Sequence, residues 1–430
     1  MALLLDLTPL HASPPFRRLW WGLGVSNLGT QLTVTAVGLQ VYAITGSTLA
    51  VGVLGICALV PLVALGLYGG ALVDAHDRRT VALASSLGLW TISIALAVQG
   101  WARVDSVTLL YVLVALQSAG FAINNPARSA IVPRLVAQPM LPAANVLQGI
   151  AFSVAMTTGP LLGAFVVAVA GYGPAYSVDA LLFTAALWAL WRLPSLPPVG
   201  AGAAEDSPPA KRGLASVLEG LRYLATRPNV RMTFVVDLIA MILAMPRVLL
   251  PAVGVLYLGG GAGTTGVLSA SFAAGAVLAG LFSGGLVQLR WQARVIGVAI
   301  ACFGLAVAGF GFVLVAVGAT SPPHVLVGAL VGACVFLALA GASDSVSSVF
   351  RQTILQSATP DQMRGRLQGV FIVVVAGGPR LGDLVLGSGA TWLGEGWAAV
   401  AGGLTCVLVL GAVLTRQRRF LSYDAQHPLP

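Results

Sequence analysis

Long apolar stretches alternate with short polar breaks along the whole chain. Runs close to the roughly twenty helical residues that cross a bilayer lie at about 18–43, 49–73, 80–100, 106–125, 143–170, 174–192, 231–257, 265–288, 293–318, 324–349, 366–390 and 392–415. Each run is continuously apolar. A membrane barrel would instead show segments of about ten residues alternating with period two. Most breaks are a few residues long, so neighbouring helices run antiparallel. The pattern predicts an all-α membrane protein of about twelve transmembrane helices.

One break is long, 193–230. Pro194, Pro197, Pro198, Pro208 and Pro209, with Glu205 and Asp206, read as a flexible linker over 194–211. Residues 213–226 (GLASVLEGLRYLAT) then place Leu214, Val217, Leu218, Leu221 and Leu224 on one helical face, the pattern of an amphipathic helix lying on a leaflet. The expected organisation is a six-helix bundle at 1–192, a linker at 193–230, and a second six-helix bundle with a polar tail at 231–430.

The two halves carry matching segments. Gly52-Val-Leu-Gly returns as Gly266-Val-Leu-Ser, an offset of 214. The Arg128-to-Met140 spacing returns from Arg351 to Met363, an offset of 223, and Gly159-Pro-Leu-Leu-Gly163 returns as Gly378-Pro-Arg-Leu-Gly382, an offset of 219. Corresponding spans keep the same orientation, so the repeat is parallel. That is the plan of transporters whose two bundles rock about a site at the midplane.

Composition agrees. Hydrophobic residues make up 57% of the 430 and charged residues 9%, and mean hydropathy is +0.91. A water-facing surface needs about 25% charged residues, so lipid must cover this one. The net charge of +9 does not point to nucleic acid, because its cations punctuate apolar spans instead of forming a patch. With the N-terminus inside, 20 of the 23 cations fall in cytoplasmic segments, Arg128, Arg134 and Arg351 among them. That bias puts both termini in the cytoplasm. The N-terminus lacks a cleavage site, so the first span is expected to be an uncleaved signal. Arginine-rich, lysine-poor usage points to a bacterium and hence to its inner membrane. Cys57, Cys302, Cys334 and Cys406 lie singly in apolar runs, so neither a disulfide nor a metal site is expected. No nucleotide loop or hydrolase motif is present, and no enzymatic activity is expected.

Ionised side chains at bilayer depth cost about 2.5–3.5 kcal/mol each, so Asp237, Arg247, Asp344, Arg380 and Asp383 need partners or a polar cavity. Arg380 and Asp383, at i and i+3, can share a helix face; Asp237 and Arg247 are too far apart along one helix and must look to others. Asp383, then Asp344 or Asp237, are the candidates for taking up a proton, by moving between a buried environment and one beside an arginine. Arg247 and Arg380 are candidates for contacting an anionic substrate or for gating. Asn27 and Gln31 in span one, and Gln117, Phe121 and Asn124 in span four, are candidate cavity residues.

Four motifs carry a family resemblance. Gly70-Ala-Leu-Val-Asp74-Ala-His-Asp-Arg78-Arg79 resembles the loop signature between spans two and three of the major facilitator superfamily, with Ala75 and Asp77 departing from it. Gly159-Pro160-Leu-Leu-Gly163 resembles the fifth-helix signature of its antiporters. Residues 126–136 (PARSAIVPRLV) with Leu141–Asn145, and 345–356 (SVSSVFRQTILQ) with 359–366 (TPDQMRGR), resemble its enterobactin exporter branch, as do Arg247–Pro251 and Asp383. The resemblance implies the major facilitator fold and efflux of small molecules driven by the proton gradient. Siderophore-like and other amphipathic substrates are expected, with broad multidrug efflux as the alternative and a non-transporting scaffold or sensor as a third reading. No cofactor beyond the proton gradient is expected. The expected partners are lipid, protons and a small-molecule substrate, with the chain acting as a monomer.

Overall fold

The computed structural model describes residues 7–196, 222–282, 290–358 and 361–424; of 67–75, 142, 281–282, 356–357, 361–373, 375 and 376 it describes the backbone alone. Twelve long helical segments run through these residues: α1 (Pro14–Thr45), α2 (Thr48–Ala75), α3 (Arg78–Trp101), α4 (Val107–Leu135), α5 (Leu141–Ala170), α6 (Tyr172–Trp191), α7 (Pro228–Ala244), α8 (Gly261–Phe282), α9 (Gln292–Val317), α10 (Val327–Ser357), α11 (Asp361–Leu393) and α12 (Glu395–Arg416). Among the described residues, 10 segments are long and apolar enough to cross a membrane. The remaining two are α1, of 32 residues, and α11, of 33. In α1, Ser26, Asn27, Gln31 and Gln40 dilute the apolar average.

Two compact units divide the chain, Met1–Gln40 with Cys57–Leu214, and Val41–Ile56 with Ala215–Pro430. In the first, α3 packs against α4 and α6, and α5 against α6. Phe16, Leu19, Ala82, Ala127, Ile131 and Leu147 form part of its core, all at most 1% exposed. In the second, α10 packs against α8 and α9, α12 against α9, and α7 against α11 and α12.

The repeat is visible in the packing within each unit. On α5, a Cβ added to Gly163 would stand 2.7 Å from the Leu32 carbonyl oxygen of α1. On α11, one added to Gly382 would overlap the Met241 carbonyl oxygen of α7. The same Gly-Pro-x-x-Gly segment thus lets a backbone approach closely in both halves. The turns after these helices also match: Gly171 (φ 85°) and Gly394 (φ 77°), 223 residues apart, adopt positive φ values that disfavour a side chain.

Two expectations need amendment. The seventh span does not run unbroken over 231–257. Helix α7 stops at Ala244, Met245 is extended, a 3₁₀ turn covers Pro246–Leu249, and a helical turn and a π turn carry the chain to Tyr257. Pro246 has no N–H to continue the ladder and clashes with the preceding turn, so the helix breaks there. The amphipathic helix expected at 213–226 lies outside the described residues except for 222–226, which are helical.

Candidate functional site

The break in α7 separates two of the charges. Asp237 lies before it and pairs with Arg351 Nη1 of α10. The other amino nitrogen, Nη2, lies 3.6 Å from Asp344 Oδ1, two turns earlier on α10. Side-chain exposure is 10% for Arg351 and 8% for Asp237, so that pair is largely desolvated, while Asp344 at 29% is half-buried. Two carboxylates face one guanidinium, which leaves one negative charge in surplus. Removing one partner from such a pair strands a buried charge.

Arg247 lies beyond the break, on the 3₁₀ turn. It acts electrostatically on both Arg380 and Asp383 of α11, which also act on each other. The balance here is reversed, with two cations to one anion. Asp383 is buried, and its Oδ1 has no hydrogen-bond partner among the described residues. Small residues on flanking helices fix this stretch of α11. A Cβ on Gly52 or Gly55 of α2 would come within 2.5 or 2.7 Å of the Asp383 or Arg380 carbonyl oxygen. The structure therefore sorts the five candidate charges of this unit into two clusters, one anionic and one cationic.

The polar candidates of the first unit do not form one group. Asn27 lines a small cleft with Trp20, Leu23, Val132, Gln148 and Ala151, and Trp20 Nε1 donates to the Leu147 carbonyl oxygen at 2.9 Å. Gln31 sits where α1 meets Gly159 of α5. Gln117 is half-buried and Phe121 exposed. Asn124 is buried and committed to α3: its Nδ2 donates to Ala82 O at 3.1 Å and approaches Ser85 Oγ at 2.9 Å and Ser86 Oγ at 2.8 Å. It acts as a clamp between two helices.

In the loop motif, Gly70 and Asp74 belong to α2, and their side chains lie outside the described residues. The basic pair reaches across the unit: Arg78 Nη1 donates to Ala130 O of α4 at 3.2 Å, and Arg79 Nη2 to Trp191 O at the end of α6 at 2.6 Å. A cation suits the carbonyl-rich end of α6. Asp77, the departure from the signature, caps α3 by accepting from Thr80 N at 3.0 Å. It also accepts from Ser195 Oγ at 2.5 Å and Leu196 N at 2.8 Å. Burial pushes its carboxyl up, but these donors and the Arg79 N–H outweigh that and hold it below the usual aspartate value. In the fifth-helix motif, Pro160 lies within α5 between the contacts that Gly159 and Gly163 make with α1.

The sequence profile of the transmembrane secretion effector family matches residues 6–429. The chain belongs to that family of the major facilitator superfamily. Over 421 residues, 97% of this chain and 96% of the relative, it is 28% identical to the enterobactin exporter EntS of Citrobacter koseri. The EntS proteins of Shigella boydii and of an Escherichia coli strain match at 27% with the same coverage. Among solved structures, a mutant of the nucleoside transporter NupG superposes with a TM-score of 0.72 at 13% identity, covering 93% of this chain and 99% of its own. A bacterial homologue of the iron transporter ferroportin in an inward-facing state gives 0.66 at 14%, covering 93% and 98%. These likenesses establish the fold. As a member of the transmembrane secretion effector family, the chain is a multi-pass membrane transporter of the exporting kind.

Several charged residues of this family member escaped the sequence reading. Arg351 and Arg128 were placed among the cytoplasmic cations because the expected spans end at 349 and 125, whereas α10 and α4 continue to Ser357 and Leu135. Arg128 points inward, donating from Nη2 to Ser86 Oγ at 3.3 Å beneath the Phe183 ring. Glu395, at the start of α12, is buried and accepts from Thr48 Oγ1 at 2.7 Å and Tyr257 OH at 3.2 Å. Asp179 of α6 is 1% exposed. A lone acid inside the run 174–192 was the signal for it.

Proposed function

We propose that the chain is a proton-coupled antiporter that exports siderophore-like or other amphipathic, anionic small molecules by alternating access. It acts as a monomer in the bacterial inner membrane with both termini in the cytoplasm. Its halves are 1–192 and 231–430, joined by 193–230. The observation that carries this reading is the separation of buried charge in the second unit. Arg247 and Arg380 outnumber Asp383, which suits an anionic group of the cargo. Asp237 and Asp344 outnumber Arg351, so one carboxylate there has no counter-ion of its own and is the natural place for an incoming proton. Asp383 belongs to the cationic cluster: a proton on it frees both guanidinium groups for cargo, and its loss lets them return. The relatives named as enterobactin exporters support a siderophore-like cargo.

The test is uptake into inverted vesicles under an imposed proton gradient, with catecholates and common cationic drugs offered in parallel. Catecholates are expected to accumulate, an uncoupler to abolish accumulation, and Asp383→Asn to remove it while the protein still folds. Preference for the cationic drugs would favour a multidrug pump. Accumulation that survives the uncoupler would rule out proton drive.

A further inference from the structure

The first unit holds one buried acid away from any cation. Asp179 sits on α6 with 1% of its surface exposed. Its Oδ2 accepts a hydrogen bond from Ser93 Oγ of α3 at 2.8 Å. Its Oδ1 is buried and has no hydrogen-bond partner among the described residues. Thr33 of α1 stands beside it, and its hydroxyl, which has no other partner, is the second hydroxyl that faces the carboxyl. The third neighbour is Gly29, one turn before Thr33; a Cβ there would lie 2.6 Å from Oδ1. Helix α1 therefore rests directly on the carboxyl, with no side chain between.

The charges around this carboxyl leave it without a counter-ion. Helix α1 has its cations, Arg17 and Arg18, at its far start, and α3 has Arg78 and Arg79 at its start. Helix α5 has no ionisable residue. From α4, Arg128 lies over Phe183, one turn along α6, and spends its Nη2 on Ser86. On α6 itself Tyr176 is one turn away, donating to Gln40 Oε1 at 2.7 Å. A buried carboxylate with two neutral hydroxyls and no cation is badly placed, whereas the neutral acid can accept from Ser93 and donate its own proton to the Thr33 hydroxyl oxygen. On losing its proton it forfeits the bond to Thr33 and needs water or further donors, which the close seat of Gly29 on Oδ1 restricts.

We propose that Asp179 is a proton-binding site in the first unit, which holds α1 against α6 while the proton is bound and loosens that contact when the proton leaves. The site is independent of the proton and cargo roles assigned to the second unit. It makes the seating of α1, and with it Asn27 and Gln31, depend on protonation.

The full-length protein in lipid nanodiscs, without any cargo, provides the test. Amide hydrogen–deuterium exchange is followed over α1 from pH 6 to pH 9 and corrected for the intrinsic pH dependence of exchange. In the wild type, exchange around Gly29–Thr33 is expected to rise severalfold with pH. Asp179→Asn, which imitates the neutral acid, is expected to abolish the rise. Ser93→Ala keeps the acid but removes the donor to its ionised form, and is expected to move the midpoint to higher pH. A pH response equal to that of the wild type in Asp179→Asn, or in Ser93→Ala should the first variant not fold, would overturn the proposal. So would a wild type without any response. Because no cargo is used, either result leaves the export reading standing or falling on its own test.

Discussion

At the scale of single residues, the structure rewards reading each charge with its neighbours. Asp77 is the clearest case. It departs from the loop signature, and the chain has found it donors in Thr80 N, Ser195 Oγ, Leu196 N and the Arg79 N–H. A depressed native value means that its contribution is fully present above the unfolded aspartate value and is lost as pH falls through the native one. Asp77→Ala is expected to cost about 1 kcal/mol at neutral pH, in line with loss of a helix cap, and nothing once the wild-type carboxyl is protonated in strong acid. Chemical unfolding in detergent as a function of pH reads this directly; an equal penalty at both extremes would mean that the cap's charge is irrelevant. Other charges were legible only in part. An aspartate within an apolar run is a plain signal, which Asp237, Asp344 and Asp383 gave. The partner of Asp237 was hidden, because Arg351 falls just past the end of its apolar run and looks like one more topology-setting cation.

At the scale of helices, hydropathy located the segments well because lipid leaves a backbone few options besides a helix. It misjudged their ends, since it cannot see turns that continue into the headgroup region or beyond: α4 and α10 outrun their apolar cores by several residues each. It also passed over the break after Ala244, although Pro246 and Pro251 flank Arg247 and mark it. Helix contacts fared better where glycine spacing spelled them out. Gly163→Leu is expected to wedge α5 from α1 and to lower stability by about 1–3 kcal/mol, the usual cost of overpacking. Gly149→Leu, on the same helix with open space around it, should be nearly neutral. Thermal unfolding of the two purified variants separates them; equal melting temperatures would argue against the close α1–α5 contact.

At the scale of the whole molecule, the duplication was readable from three short matches at near-constant offset, and the matching glycine contacts and turns agree with it. Which residues handle protons and cargo was less readable, because that depends on which helices neighbour one another and not on the order of the chain. Orientation is testable without cargo: tags on the two ends are expected to be reached by reagent only after the cell membrane is opened. Labelling of one end in intact cells would refute the assigned topology. The interrupted seventh helix carries one more consequence. Its first piece is fastened to α11 through Gly382 and to α12 through Gly402, while the piece beyond the gap is fastened to α8 through Gly254 and Thr265. The turn between the two anchored pieces is itself packed, with Pro246, Val248 and Leu249 buried, so Arg247 is carried on a short tether whose two ends are held by different neighbours.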